Sequence, residues 1–447
     1  MPRPKTVILG GGLSGIAVAQ VLAEAGWSPI TIIERGVKLG GLAGSFQQGG
    51  KFYPLGYHHI LHRDRTLLFF LDLIGALPAV RWKAIRMLFE ADGALLDLSN
   101  PIDFLRFPMS PLDKLRFARL MIRAFTKRDW AEWHDRSAAE LVDHWGGPGV
   151  RTAIFEPLTR LKFDLPCSDV SAAWMGARLH FREGSAPLGF IPESNWTTVL
   201  CDRLTELTSD AKVEILTDSS VQKIHTEGER ICAVELADGR TIPGDLFVST
   251  LPTEAYCRML PTDGTVSNIR YTALVSAICA TPQRIDPDFY WLNLTSLDHS
   301  ACAIFQLSSL NASIGAPGET CINFVTHLGS RDDAFFTRPD DALMEGYARD
   351  FETVVGCALE PSWVRIARVP MYSPIFHRGY RNPPVQSATF SNMYFAGNYR
   401  TFPSVASTGT ALHSGLETGC EILRRYSQRS DILERVASFR LKRMPRE

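Results

Sequence analysis

Residues 5–34 constrain this chain more than any other stretch. Val7, Ile8 and Leu9 form a short aliphatic run, long enough for a buried parallel strand. The run breaks at Gly10-x-Gly12-x-x-Gly15, and apolar residues then recur at helical spacing through Ala17, Val18, Val21, Leu22 and Ala25. Gly26 ends that pattern, and 29–33 reads as a second strand running into Glu34.

Each part has a task in holding a dinucleotide. Gly10 makes the tight turn, Gly12 lets the backbone approach a pyrophosphate, and Gly15 lets helix and strand pack closely. Leu13 and Ser14 open the helix, whose first N–H groups and positive dipole end favour phosphate. Glu34 stands about where an acid takes the adenosine ribose hydroxyls. A lone glycine triplet is an ordinary turn; strand, triplet, helix, strand and acid in register say more.

A second glycine pair, Gly40-Gly41, follows Arg35 and precedes Leu42. A surface turn explains that pair equally well in isolation. After the acid, however, it resembles the two-dinucleotide-binding-domain flavoproteins, in which the ribose Glu leads into a Gly-Gly loop along FAD. Next comes Gly56-Tyr57-His58-His59, with His62 close behind. Three histidines so close suggest a metal, but no matched ligand set stands elsewhere in the chain. Satisfied structural histidines are the other reading.

At 447 residues the chain exceeds one ordinary core, so two domains are expected. The balance of 47 basic against 48 acidic residues argues against general nucleic-acid binding. The nine cysteines are scattered without a Cys-x-x-Cys pair, which reads as reduced thiols in a cytoplasmic protein without bound metal. No signal peptide is expected ahead of the first strand, and no apolar run approaches a membrane span.

The middle of the chain is less explicit. Asp92-Gly93 between aliphatic pairs predicts a hairpin. Over 114–127, Arg116, Arg119, Arg123 and Lys127 form a basic stripe beside the apolar Leu115, Ala118, Met121, Ile122 and Phe125. That helix is either an ordinary packed element or, across 112–128, a peripheral contact with anionic lipid. Ser137 and Glu140 make a capping box. From 212 short strands return, with a turn at Asp238-Gly239 and a buried strand over 245–252. Strands alternate over 271–390, with a helix at roughly 339–357.

Near the C-terminus a strand ends at Ala396-Gly397, followed by Asn398, Tyr399, Arg400, Ser404 and Val405; a Gly-rich helix begins near Ser407 and Thr408. Together with the N-terminal motifs, this is similar to the flavin amine oxidase superfamily, which includes protoporphyrinogen oxidases, phytoene-type desaturases and UDP-galactopyranose mutases. The resemblance implies an α/β protein: a Rossmann-like FAD-binding domain from 1–65, 212–260 and 388–430, a helical insertion over 66–211, and a substrate-binding sheet domain over 261–387. It implies non-covalent FAD held by Gly10, Gly12, Leu13, Ser14, Gly15, Glu34, Arg35, Gly41, Leu42, Tyr57, His58, Val221, Gly397, Asn398, Ser404, Val405 and Thr408. His58, Tyr399 and Arg400 become the catalytic candidates, because the family fold sets their segments beside the flavin ring.

Two departures qualify the resemblance. The family's Gly-Asp is Gly397-Asn398 here, and no Lys stands in 265–280, about where amine oxidases orient water at the flavin. The expected activity is hydride removal from an apolar or amphipathic small molecule, of isoprenoid, polycyclic or amine-like kind. Two alternatives stay open: a redox-neutral sugar-nucleotide mutase using Arg178, Arg182, Arg378, Arg381 and Arg400, and a flavoprotein partner without turnover. The sequence leaves the oligomeric state open.

Overall fold

The structure, a computed structural model, describes residues 3–181 and 186–441. Thr6–Leu9 lies at the centre of a five-stranded parallel sheet. Ile30–Ile33 and then Glu214–Leu216 flank it on one side, and Leu246–Ser249 and then Met393–Phe395 on the other. Strand periodicity assigns the two faces. Ile8, Ile32 and Val248 meet the helical core that contains Ile16, Val21, Leu412 and Leu416. Val7, Leu9, Ile33, Phe247 and Phe395 meet the opposite layer, which contains Ile224, Val234 and Leu236 of a three-stranded antiparallel meander. Both faces are covered, so the strands read as unbroken aliphatic runs rather than alternating ones.

The helix Leu13–Glu24 packs along Thr408–Arg425. A Cβ at Gly415 would run into the Ser14 carbonyl and the Ala17 methyl, so only glycine allows this approach. The Ser14 hydroxyl donates to the Ala411 carbonyl at 2.7 Å and ties the two ends of the chain together.

A seven-stranded mixed sheet forms the second half of the molecule, in the order Trp363–Pro374, Tyr271–Thr281, Thr320–Leu328, Ala303–Gln306, Trp291–Asn293, Met87–Ala91, Ala94–Leu96. Its last two strands are the hairpin at Asp92-Gly93, where both residues have positive φ (49° and 75°). Residues 87–96 therefore belong to the seven-stranded sheet although they lie in the stretch read as a helical insertion. The parallel pairing of Trp291–Asn293 with Met87–Ala91 causes this, and only a long-range contact reveals it. The capping box at Ser137 and Glu140 forms as read, and the helix Asp340–Val355 ends on left-handed Gly356.

Candidate active site

One cavity of about 970 Å³ is lined from both sheets, at the upper end of ordinary ligand pockets. Its first end is built by the residues that opened the sequence. Gly10 turns with φ 102°, and a Cβ there would press on Thr250 Oγ1 at 2.6 Å. Gly12 opens toward the cavity, and its Cβ would meet nothing nearer than the Gly41 Cα at 4.0 Å. The second glycine loop lies against the first, with the Gly40 N–H donating to the Gly11 carbonyl at 2.9 Å. Glu34 is held by its own neighbourhood: one carboxylate oxygen accepts from Gly11 N and the other from Gly36 N, both at 2.8 Å. That geometry leaves the remaining lone pairs for a pair of ribose hydroxyls.

Leu13, Ser14, Arg35, Gly41, Leu42, Val221, Gly397, Asn398, Val405 and Thr408 line the same cavity. Thr408 opens the C-terminal helix, whose Ser407 hydroxyl and Thr410 side chain cap each other's backbone N–H. The helix start thus presents its positive end to the cavity. Asp64 also lines it as the N-cap of Arg65–Leu73, accepting from Leu67 N at 3.1 Å. Burial pushes its carboxyl up to about 6, against the opposing pull of the Leu67 and Gly409 N–H groups.

At the other end, Tyr57 stacks on Phe305 with ring centroids 3.9 Å apart and lines the cavity with His58 and His59. His58 Nδ1 pairs with the Gly56 carbonyl at 3.1 Å, and its carbonyl accepts from Trp196 Nε1. Burial lowers the imidazole pKa, so His58 stays neutral near pH 7. His59 lies against Tyr290 and Trp291, and His62 sits edge-on to Trp82 at 5.3 Å. The three histidines point to three different neighbours. Ile85, Trp174, Leu188, Val369, Met371 and Tyr372 give this end an apolar, aromatic wall, into which Lys162 and Arg178 also reach.

Four expected residues do not line the cavity. Tyr399 is 1% exposed, and its hydroxyl donates to the Ser249 carbonyl at 3.4 Å, inside the core beneath the sheet. Arg400 also stays out of the lining, donating to the carbonyls of Pro383 and Phe395 and to Thr418 Oγ1. The structure thus does not bring these two catalytic candidates to the cavity wall with His58. The short 3-10 turn Asn398–Arg400 keeps Asn398 at the cavity while rotating the next two side chains away. Ser404 sits in the loop without reaching the lining. Gly15 does the packing task read for it, since a Cβ there would strike the Gly10 carbonyl.

Among the arginines of the mutase alternative, only Arg178 lines the cavity. Arg378 and Arg381 bond the Asp135 backbone and carboxylate respectively, Arg400 is internal, and Arg182 lies outside the described residues. Sequence reasoning passed over Asp64, Lys162, Trp174 and Tyr372. The one local signal was the Trp174/Arg178 spacing, which puts both on one helix face, with the guanidinium 5.6 Å from the indole centre.

A sequence model of the flavin containing amine oxidoreductases matches residues 13–423. The chain belongs to that family. Among its relatives is the 15-cis-phytoene desaturase of Solanum lycopersicum, 21% identical over 95% of this chain and 79% of the relative. A solved structure assigned as a protoporphyrinogen oxidase from Exiguobacterium sp. 255-15 superposes with a TM-score of 0.75 at 18% identity, covering 94% of this chain and 98% of that one. A reduced UDP-galactopyranose mutase superposes at 0.73 and 15% identity, with 98% of each chain covered. At these identities the two structures establish the shared fold. As a flavin containing amine oxidoreductase, the chain is a flavin-dependent oxidoreductase with a Rossmann-like parallel sheet. Its residues fit such a cofactor: the open face of Gly12, the fixed Glu34 carboxylate and the capped helix start all face one cavity. Among the described residues no helix is long and apolar enough to cross a membrane.

Proposed function

We propose that the chain oxidises or desaturates an apolar or amphipathic small organic molecule, by hydride transfer to non-covalently held FAD. The observation that carries this reading is the cavity lined from both sheets, whose two ends differ in chemistry. One end has the dinucleotide features at Gly10, Gly12, Glu34 and Thr408; the other has an apolar wall from Ile85 to Tyr372. Bound FAD supplies the hydride acceptor, and the protein supplies orientation and a dry chamber.

The side chains divide the work as follows. Glu34 orients the ribose, and Gly12 with Gly41 admits the pyrophosphate against bare backbone. The helix start at Thr408 favours negative charge at the nearby rim of the cofactor. Tyr57, backed by Phe305, and neutral His58 would pack against the cofactor's ring without adding charge of their own. The strand Tyr271–Thr281 carries no lysine, which weighs against simple amine oxidation.

A peripheral membrane contact belongs to this reading. The helices Pro101–Arg106 and Pro111–Thr126 bury only Leu120 and Ala124, while Ile102, Leu105, Leu112, Leu115 and Ile122 stand exposed. The exposed Arg106, Arg116, Arg119 and Arg123 stand among them. An apolar face set among cations fits an anionic lipid surface, the natural reservoir of an apolar substrate. The test of the catalytic reading is anaerobic mixing of the purified holoenzyme with isoprenoid, polycyclic and amine compounds. One of these classes should bleach the flavin absorbance; a flavin left oxidised by every class contradicts the proposal.

A further inference from the structure

The apolar end of the cavity holds two cations that no carboxylate among the described residues neutralises. Lys162 is on the helix Glu156–Phe163 and Arg178 on Ala172–Phe181, and both line the cavity. Neither makes a hydrogen bond or an ion pair with a described residue. Lys162 Nζ sits 5.6 Å from the Phe163 ring centre, and Arg178 rests on Trp174. Behind them His327 has a buried Nδ1 with no partner among the described residues.

The other cations of the lining are already engaged. Lys38 meets Asp202 at 3.4 Å, Arg258 meets Glu254 at 3.8 Å, and Arg368 meets Asp340 at 2.7 Å. Arg63 donates to the His180 carbonyl at 3.0 Å, and Arg35 stands exposed beside Glu34 at the dinucleotide end. The lining carboxylates are also occupied. Glu34 is held by Gly11 and Gly36, Asp64 by Leu67, and Asp202 by Lys38.

Two like charges deep in a cavity wall repel, and each loses hydration without a counter-charge. Burial first, and then Arg178, lowers the Lys162 pKa; burial first, and then both cations, lowers that of His327. Such an arrangement is stabilised when an anion enters. The cofactor's phosphates belong to the glycine loops of the parallel sheet. Lys162 instead packs by Cys302 and the strand Thr320–Leu328 of the other sheet.

Resting on the catalytic reading above, we propose that Lys162 and Arg178 form an anion site that fixes one end of the substrate. The molecule turned over is then an amphipath with an apolar body and a carboxylate or phosphate head. The apolar wall at Trp174, Leu188, Met371 and Tyr372 takes the body, and the two cations take the head and set which carbon faces the cofactor.

The experiment measures binding to the holoenzyme by calorimetry, using dodecanoate, dodecyl phosphate, 1-dodecanol and dodecylamine. At least one anion should bind about tenfold or more tighter than 1-dodecanol, and dodecylamine should bind weakest. A preference confined to dodecanoate assigns a carboxylate head; one confined to dodecyl phosphate assigns a phosphate. Lys162→Gln and Arg178→Gln should each shrink the preference while leaving 1-dodecanol binding unchanged, and Lys162→Arg should restore it. Equal binding of 1-dodecanol and both anions to the wild type overturns the proposal whether or not the variants fold. So does a preference that survives both glutamine substitutions. Flavin content is read in the same samples: protein without flavin counts against the catalytic reading, whereas full flavin with no anion preference counts against this inference alone.

Discussion

At the scale of single residues, the glycines and the buried polar groups make separable predictions. Gly12 faces space, not protein, so Gly12→Val should leave the fold standing and obstruct the pyrophosphate. Purified Gly12→Val should carry less than about a tenth of the wild-type flavin, the loss expected when a phosphate-binding turn is blocked. Its apoprotein melting temperature should match the wild-type apoprotein. A normal flavin ratio would show that the cavity holds its ligand elsewhere. Arg400 predicts the reverse. Its three internal hydrogen bonds make Arg400→Ala destabilising by about 1–3 kcal/mol in urea unfolding. Turnover per folded molecule should stay near the wild-type value; a large fall in turnover without loss of stability would return Arg400 to the chemistry.

At the scale of elements, the helix Pro111–Thr126 shows what a pattern read on its own conceals. Its sequence offers two apolar stripes. Phe117, Leu120, Met121 and Ala124 turn toward the protein, whereas Leu112, Leu115 and Ile122 face outward, with Leu115 71% exposed. The sequence reading put inward Met121 in one broad face with outward Leu115 and Ile122, because periodicity alone does not say which side meets a neighbour. The outward stripe continues onto Leu105, whose carbonyl receives Lys114 Nζ at 2.6 Å. Wild-type protein should therefore sediment with vesicles containing phosphatidylglycerol and not with pure phosphatidylcholine. Replacing Leu105, Leu115 and Ile122 together with serine should abolish sedimentation without lowering the melting temperature, since none of the three is buried. Vesicle binding that survives this change would move the contact elsewhere.

The parallel sheet, by contrast, was open to sequence reading. Strand, glycine turn, helix and acid are consecutive there, so local order carries the information. Residues 92–93 and the capping box at Ser137 were readable for the same reason. What local order does not carry is the pairing of Met87–Ala91 with Trp291–Asn293, or the turn at Asn398–Arg400 that sends Tyr399 and Arg400 inward.

At the scale of the whole molecule, the cavity joins segments far apart in the chain, which is why its apolar end was hidden. Lys162, Arg178, Met371 and Tyr372 have no motif in common; the packing of the helical layer on the seven-stranded sheet brings them together. That assembly sets a pH dependence. Burial holds the Lys162 ammonium down to about 7, with Arg178, Cys302 and His327 as its charged or titratable neighbours. Cys302 is pushed up to about 11 and His327 lies well below 6.5, so neither changes charge between pH 7 and 10. An anion binds the protonated lysine, so affinity for the preferred dodecyl anion should fall as pH rises from 7 toward 10. Lys162→Gln should flatten that fall; an unchanged slope in the variant would place the titrating group elsewhere.

The account rests on one FAD held without a covalent bond by glycine loops near one end of the chain and a capped helix near the other. Acid precipitation of the purified protein, with the cofactor identified in the supernatant and the pellet, tests this directly. The prediction is intact FAD in the supernatant, in a ratio of one to each chain. Flavin retained in the pellet, FMN in place of FAD, or no flavin after reconstitution would contradict it.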